Sequence, residues 1–550
     1  MFYDNNRIKV CNSCIIIDNY VLGECKQLES VFQVWDPICH RYNQLGMYYD
    51  KNTKRLYLPR GIDIYKITGY LNEKYHTLIE PNPYKTIDNI LMKYAPRDED
   101  QKTALRFMCG VGEYEENQYH SQLSLSLSTG KGKTFCSIAT ASFLKIKSIV
   151  ITHSNTLLNQ WKDNIKEYTN LTEEDVLFIS GSSMLHMILN CKSVKADNAK
   201  IFLCTHSTIR SFADTYGWDK LNDVFINLGI GIKFIDEAHK NFNNMLMIDF
   251  FTNVYKTYYV TATPQRSDWK EDRIYQLSIK NVPGIDLFDE DSDPHTSYVA
   301  IKWNSRPNAI QLTECHGSYG LDRNKYVDYV IKQPNFYKIM TIVMDMVIKC
   351  NGRVLMYIGT NEGIIKLYKW ISENYPEFLC NVGIYTSAVS KEDKINKERN
   401  KKLLLSTTKS AGEGEDLKGL KMTILVAEPF KSHVLARQTL GRTRDRGTMY
   451  IELVDMGFKQ IKKFYYSKLE IFNKYATDTS DIIIDQYELD RRYDIIMKER
   501  SKRPICPFIL HDERFFTYPP EPPIQQTRQV IRPFRIVDNV NLTKGDDISG

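Results

Sequence analysis

The sequence predicts an α/β protein with two successive parallel-sheet lobes, a small mixed α/β segment before them and a proline-containing arm after them. Three observations carry this. From about residue 120 onward, short β-rich apolar runs alternate with helix-patterned stretches, the rhythm of strand–helix–strand units. Polar and acidic clusters directly follow those runs, where ligands gather at the C-terminal ends of a parallel sheet. A glycine-rich loop, Leu127-Ser-Thr-Gly-Lys-Gly-Lys-Thr134, stands between one such run and a helix-like stretch. The divisions fall at 1–90 (an N-terminal accessory domain), 91–290 (first lobe), 298–470 (second lobe) and 471–550 (arm and tail).

At 550 residues the chain exceeds one hydrophobic core, and length alone suggests three or four domains. Its 42% apolar and 25% charged content is that of an ordinary globular protein, and a formal charge of +6 permits a basic groove without demanding one. The N-terminus lacks a basic-then-apolar leader, and no apolar run approaches the ~20 residues that cross a bilayer. A cytoplasmic protein with reduced cysteines is therefore expected.

Cys11, Cys14, Cys25 and Cys39 fall early, with His40 beside the last. The Cys-x-x-Cys spacing suits zinc. It lies inside Arg7–Asp18, however, which reads as one β-strand, and no second such pair follows, so buried thiols are the expectation. The clearest strand of this region is Lys54–Gly61, ended by Pro59 and Gly61. Aromatic and basic residues intermix from Tyr42 to Tyr70, which suits either nucleic-acid contact or packing on a neighbour.

Ala95–Arg106 is a loop running into an amphipathic helix. Its Gln101 amide, both donor and acceptor, can read an adenine edge, although a Gln at a helix start, taken alone, is expected to face solvent. The glycine loop follows the run Gln122–Leu127 and opens the helix-like Phe135–Leu144. Thr129, Gly130, Lys131 and Gly132 let backbone N–H groups curl around a polyphosphate at a helix N-terminus. Lys133 would reach the β/γ-phosphates and Thr134 would ligate Mg²⁺. The full pattern asks for glycine where Leu127 stands.

Next come the strand-like runs Ser148–Thr152, Lys200–Cys204, Ile232–Ile235 and Tyr258–Pro264, with a helix from Asn155 to Trp161. Asp236-Glu-Ala-His239 follows the third. A carboxylate at the tip of an apolar strand can hold Mg²⁺, and the next can orient or deprotonate an attacking water. Asp286–Pro294 reads as an acidic linker. In the second lobe the strands are Tyr298–Trp303, Arg353–Ile358, Asn381–Tyr385, Lys402–Ser406, Met422–Val426 and Met449–Leu453. Polar positions again follow them: Gly359–Asn361, Thr386, Thr407–Asp416 and Glu428. Ser410–Asp416 and Gln438–Arg446 look like the other half of a composite site, arginine being suited to a transferred phosphoryl group. A charged helix is expected over Asp481–Lys498, and prolines from Pro504 to Pro533 exclude long helices beyond it.

Together these stretches resemble the superfamily 2 helicases of the DEAH-lettered group. The motifs stand in that family's order: Gln101, Leu127–Thr134, Leu157–Trp161, Thr205–Ser207, Asp236–His239, Thr261–Asp268, Gly412–Asp416 and Gln438–Arg442. They span roughly residues 95–455. The resemblance implies two RecA-like lobes with ATP and Mg²⁺ as cofactors. Lys133 and Thr134 would bind phosphate and metal, Asp236 would hold the metal, and Glu237 would act as the base. Gly414 and Asp416 join the nucleotide set; Thr261, Thr263 and His239 would couple nucleotide to movement. Gln438 and Arg442 would face the γ-phosphate. Asp445 occupies the place of an expected second arginine, leaving Arg444 and Arg446 as alternatives for the finger. The Thr-Ala-Thr-Pro-x-Arg-x-Asp form and the N-terminal domain resemble phage-type recombination and repair helicases. That implies a monomeric motor on duplex or branched DNA, with low sequence specificity. RNA as partner, or displacement of protein or transcript without strand separation, is the alternative.

Overall fold

A computed structural model of the chain describes residues 6–36, 40–88, 90–127, 130–190, 194–238, 242–261, 269–279, 281–287, 296–317, 320–386, 401–408, 419–442 and 447–502. Thr129, His239, Thr263, Gly414, Asp416, Arg444 and Arg446 lie outside them, as do Cys39 and the proline-rich arm. For Gln438 only the backbone is described. The chain forms two compact units that divide near residue 290.

The first unit begins with a five-stranded sheet in the order β5-β6-β2-β1-β7. Its strands are β1 (Ile8–Val10), β2 (Cys14–Ile17), β5 (Tyr48–Asp50), β6 (Arg55–Pro59) and β7 (Thr77–Leu78). A separate two-stranded hairpin joins β3 (Gln33–Asp36) to β4 (Arg41–Gln44). The single strand expected over Arg7–Asp18 is instead the β1–β2 hairpin, paired antiparallel from Val10↔Ile15 outward. Asn12 and Ser13 make the turn because both are held from outside. Asn12 Nδ2 donates to the Tyr255 carbonyl (2.9 Å) and Ser13 Oγ to that of Thr252 (2.6 Å). Cys11 and Cys14 are buried free thiols flanking the turn, and no cluster of three or more His, Cys, Asp and Glu suited to a metal occurs among the described residues.

The second sheet of this unit is parallel throughout, in the order β10-β11-β9-β12-β13-β8-β14. It comprises β8 (Gln122–Leu127), β9 (Ser148–Thr152), β10 (Val176–Ile179), β11 (Ile201–Thr205), β12 (Ile232–Asp236), β13 (Lys256–Thr261) and β14 (Gly284–Leu287). The five central strands are buried along their whole length, as strands covered by helices on both faces must be. Asp286 and Leu287, read as linker, complete β14 against Ser126 and Leu127.

The N-terminal sheet packs directly on this one. Cys11, Cys14, Val34 and Tyr57 share a core with Ile235, Ala238, Phe242, Met245, Ile274 and Tyr275. At Gly61 a Cβ would stand 1.9 Å from the Ser278 carbonyl oxygen, so only glycine permits the approach. Beneath the joint, Lys233 and Asp249 form a fully buried ion pair to which Tyr259 also donates.

The second unit holds a further seven-stranded parallel sheet, ordered β19-β20-β18-β21-β22-β15-β23. Its strands are β15 (Thr296–Trp303), β18 (Arg353–Ile358), β19 (Val382–Tyr385), β20 (Leu403–Ser406), β21 (Leu420–Ala427), β22 (Thr448–Asp455) and β23 (Thr479–Ile483); a small hairpin, β16 (His316–Gly317) and β17 (Gly320–Leu321), stands apart. The helix expected from Asp481 starts instead at Gln486. Pairing of Asp481–Ile483 with Ala300–Lys302 claims this segment, with its β-branched Ile482 and Ile483, for the sheet edge. No helix among the described residues is long and apolar enough to cross a membrane.

Candidate nucleotide site

The phosphate-loop segment connects β8 to the helix Lys133–Leu144, and Gly130 and Gly132 adopt φ of 82° and 99°. At Gly132 no side chain fits, since a Cβ would lie 2.3 Å from Gln101 Nε2. These positive φ values turn the chain so that the helix N-terminus opens toward the loop, the arrangement that favours an anion. Lys133 Nζ donates to the Leu127 carbonyl at 3.0 Å, which keeps the ammonium over the loop.

Gln101 is buried, not solvent-facing. Its Oε1 accepts from Arg97 N (2.8 Å) and its Nε2 donates to the Lys131 carbonyl (3.0 Å), while Asp98 caps the helix by accepting from Gln101 N. The amide thus braces the loop from behind, and Lys131 reaches Asp100 at 3.5 Å.

Asp236 closes β12, two strands from the phosphate loop, with β13 between them. In register, Asp236 stands beside Val260, and Thr261 beside Ser126. This brings the loop, the acid pair and the buried Thr261 to one end of one sheet. Burial pushes the Asp236 carboxyl up to about 6, and the adjacent Glu237 charge acts in the same direction; the Trp161 N–H and the Lys133 ammonium pull it back. Such a carboxyl is primed to accept a cation, which removes the repulsion. Trp161 Nε1 donates to Asp236 Oδ2 (2.8 Å) and Glu237 N to Oδ1 (2.9 Å), fixing the carboxylate plane. The Trp161 contact was not read from sequence; the usable signal was that a buried indole N–H needs an acceptor. Glu237 itself takes φ 53°, the left-handed region that non-glycine residues seldom occupy.

The donor set fits a magnesium–triphosphate: an ammonium, the Thr134 hydroxyl one residue on and the buried carboxylate that ends β12. At the same sheet end Ser126 Oγ is buried and has no partner among the described residues.

In the second unit the polar positions after the strands also assemble. Gly359, Thr360, Asn361 and Thr407 line a cavity of about 410 Å³ with Arg323 and Lys366. Arg323 pairs with Glu428, whose carboxyl burial pushes up. Arg442 is buried just beyond the helix His433–Leu440, with its backbone N–H on the Thr439 carbonyl at 3.3 Å.

Residues 85–266 match the family described as type III restriction enzyme, res subunit, and this interval contains the whole assembly around Lys133 and Asp236. The chain is similar to the superfamily 2 helicases. The similarity makes it an ATP-hydrolysing enzyme of the helicase type that acts on nucleic acid. It is 24% identical over 426 residues to "Putative ATP-dependent RNA helicase L396" of Acanthamoeba polyphaga mimivirus, covering 74% of the helicase and 72% of that relative. "Transcript termination protein A18" of Yaba-like disease virus is 23% identical over 337 residues, and the match covers 58% of this chain and 64% of that one. A solved structure of S. cerevisiae Dbp5 bound to RNA and ADP BeF3 aligns with a TM-score of 0.48 and 14% identity, over 73% of the helicase and 93% of Dbp5.

Proposed function

We propose that this helicase hydrolyses Mg²⁺-ATP at the first-unit site and uses the cycle to move along DNA and separate its strands. The observation that carries the chemistry is the convergence of Lys133, Asp236 and Glu237 at one sheet end, close enough for the Lys133 charge to act on the Asp236 carboxyl. In this reading Lys133 binds the β/γ-phosphates, Thr134 and Asp236 hold Mg²⁺, and Glu237 takes the proton from the attacking water. The metal, when bound, neutralises phosphate charge. DNA as the track is supported by the match to a restriction-enzyme family.

A second reading, displacement of transcript or protein without strand separation, is favoured by the names of two relatives, one an RNA helicase and one a transcript termination protein. ATPase assays with single-stranded, duplex and forked DNA and with RNA, run beside strand-displacement assays, separate the two. The first reading expects the largest stimulation from forked DNA. Stimulation by RNA above every DNA form would replace it with the second.

A further inference from the structure

We propose that the outer face of the β3–β4 hairpin is a stacking platform for unpaired bases of the nucleic acid on which the helicase works. This rests on the nucleic-acid reading above and names a contact within it. The two strands pair Gln33 with Gln44 and Trp35 with Tyr42. Side chains alternate along a strand, so these four share one face. Phe32 and Val34 turn the other way and are 0% and 1% exposed, whereas Trp35 is 41% and Tyr42 63% exposed. The Trp35 and Tyr42 rings sit 5.1 Å apart at 64°, and the His40 ring lies 6.3 Å from Trp35, also at 64°.

An edge-to-face pair sets the edge of one ring against one face of the other and leaves the remaining ring faces able to receive another flat π-system. The paired Gln33 and Gln44 amides next to the rings add donors and acceptors of the kind that meet base edges. No aliphatic or charged side chain stands among the four, so the face suits neither a greasy protein helix nor a phosphate chain. Bases offer both a π-face and polar edges. The hairpin is also held to the motor. The Gly46 N–H just past β4 donates to Asn243 Oδ1 (3.1 Å), on the helix that follows the acid pair, and Val34 packs with Ile274 on the helix that follows β13.

The test uses the full chain and three fluorescein-labelled probes: a single-stranded DNA, the RNA of the same sequence and the blunt DNA duplex. Trp35→Ala and Tyr42→Ala should each weaken single-strand binding by about tenfold. Duplex affinity, the salt dependence and ATPase without nucleic acid should stay unchanged. Trp35→Phe should restore most of the affinity, and Tyr119→Ala, which removes an aromatic ring that is 89% exposed elsewhere, should do nothing. The DNA and RNA arms show which strand the platform takes. Unaltered single-strand affinity in the Trp35→Ala/Tyr42→Ala protein overturns the proposal, as does an equal loss on duplex. If the parent protein itself binds no probe and no nucleic acid stimulates it, the broader reading fails as well; stimulation in the parent with no effect of the variants removes the platform alone.

Discussion

Glu237 holds a left-handed backbone conformation that costs a non-glycine residue about 1 kcal/mol. Replacing it separates strain from chemistry. Glu237→Gln should bind ATP at near-parental affinity and turn it over at least about a hundredfold more slowly, because phosphate and metal contacts remain while the base is gone. Glu237→Gly should lose the same activity yet match or slightly exceed the parent in thermal stability, since glycine relieves the strain. Turnover at the parental rate by the Gln variant, in a single-turnover assay, would remove Glu237 from its assigned role. Gly132→Ala should impair nucleotide binding through both its φ of 99° and its clash with Gln101. Trp161→Phe keeps the ring and removes the N–H to Asp236, so the Mg²⁺ concentration for half-maximal ATPase should rise several-fold.

At the scale of elements, Lys256 opens β13 with its ammonium on the Asn117 and Gln118 carbonyls (2.7 and 3.1 Å), and burial lowers its pKa to about 8. The unfolded chain holds that proton up to the ordinary lysine range, so between about pH 8 and 10.5 unfolding takes up a proton and stability rises with pH. The penalty present below pH 8 is on the order of 3 kcal/mol. Urea melts of the parent and Lys256→Met should therefore converge or cross as pH rises through that window, and parallel curves would show that Lys256 does not titrate there. Most strands of both lobes were legible because apolar runs ended in polar clusters. β10 escaped because Val176–Ile179 is four residues among charges, and β23 because its place depends on β15, some 180 positions away. The phosphate loop and acid pair were plain from residue type and spacing. Gln101 as a brace and Trp161 as a clamp were not, since each partner is distant in the chain: Lys131 and Asp236.

For the whole molecule, the N-terminal sheet and the first parallel sheet are one packed body. Removing residues 1–90 would uncover Phe242, Met245 and Ile274, and the expected product is insoluble protein; soluble, ATPase-active material from that truncation would contradict the shared core. Binding to duplex DNA should weaken with salt at a log–log slope of roughly −0.9 per phosphate neutralised and show little sequence preference.

The shared core also sets a schedule for biosynthesis. Val34 and Tyr57 leave the ribosome well before Phe242 and Ile274, their packing partners. At ~5–20 residues per second, Tyr57 waits roughly 10–40 s for Phe242 to be made. Through that interval the nascent chain carries an apolar patch that only later synthesis can cover. Slower elongation or loss of ribosome-associated chaperones should therefore lower the yield of this protein more than that of one whose N-terminal domain closes its own core.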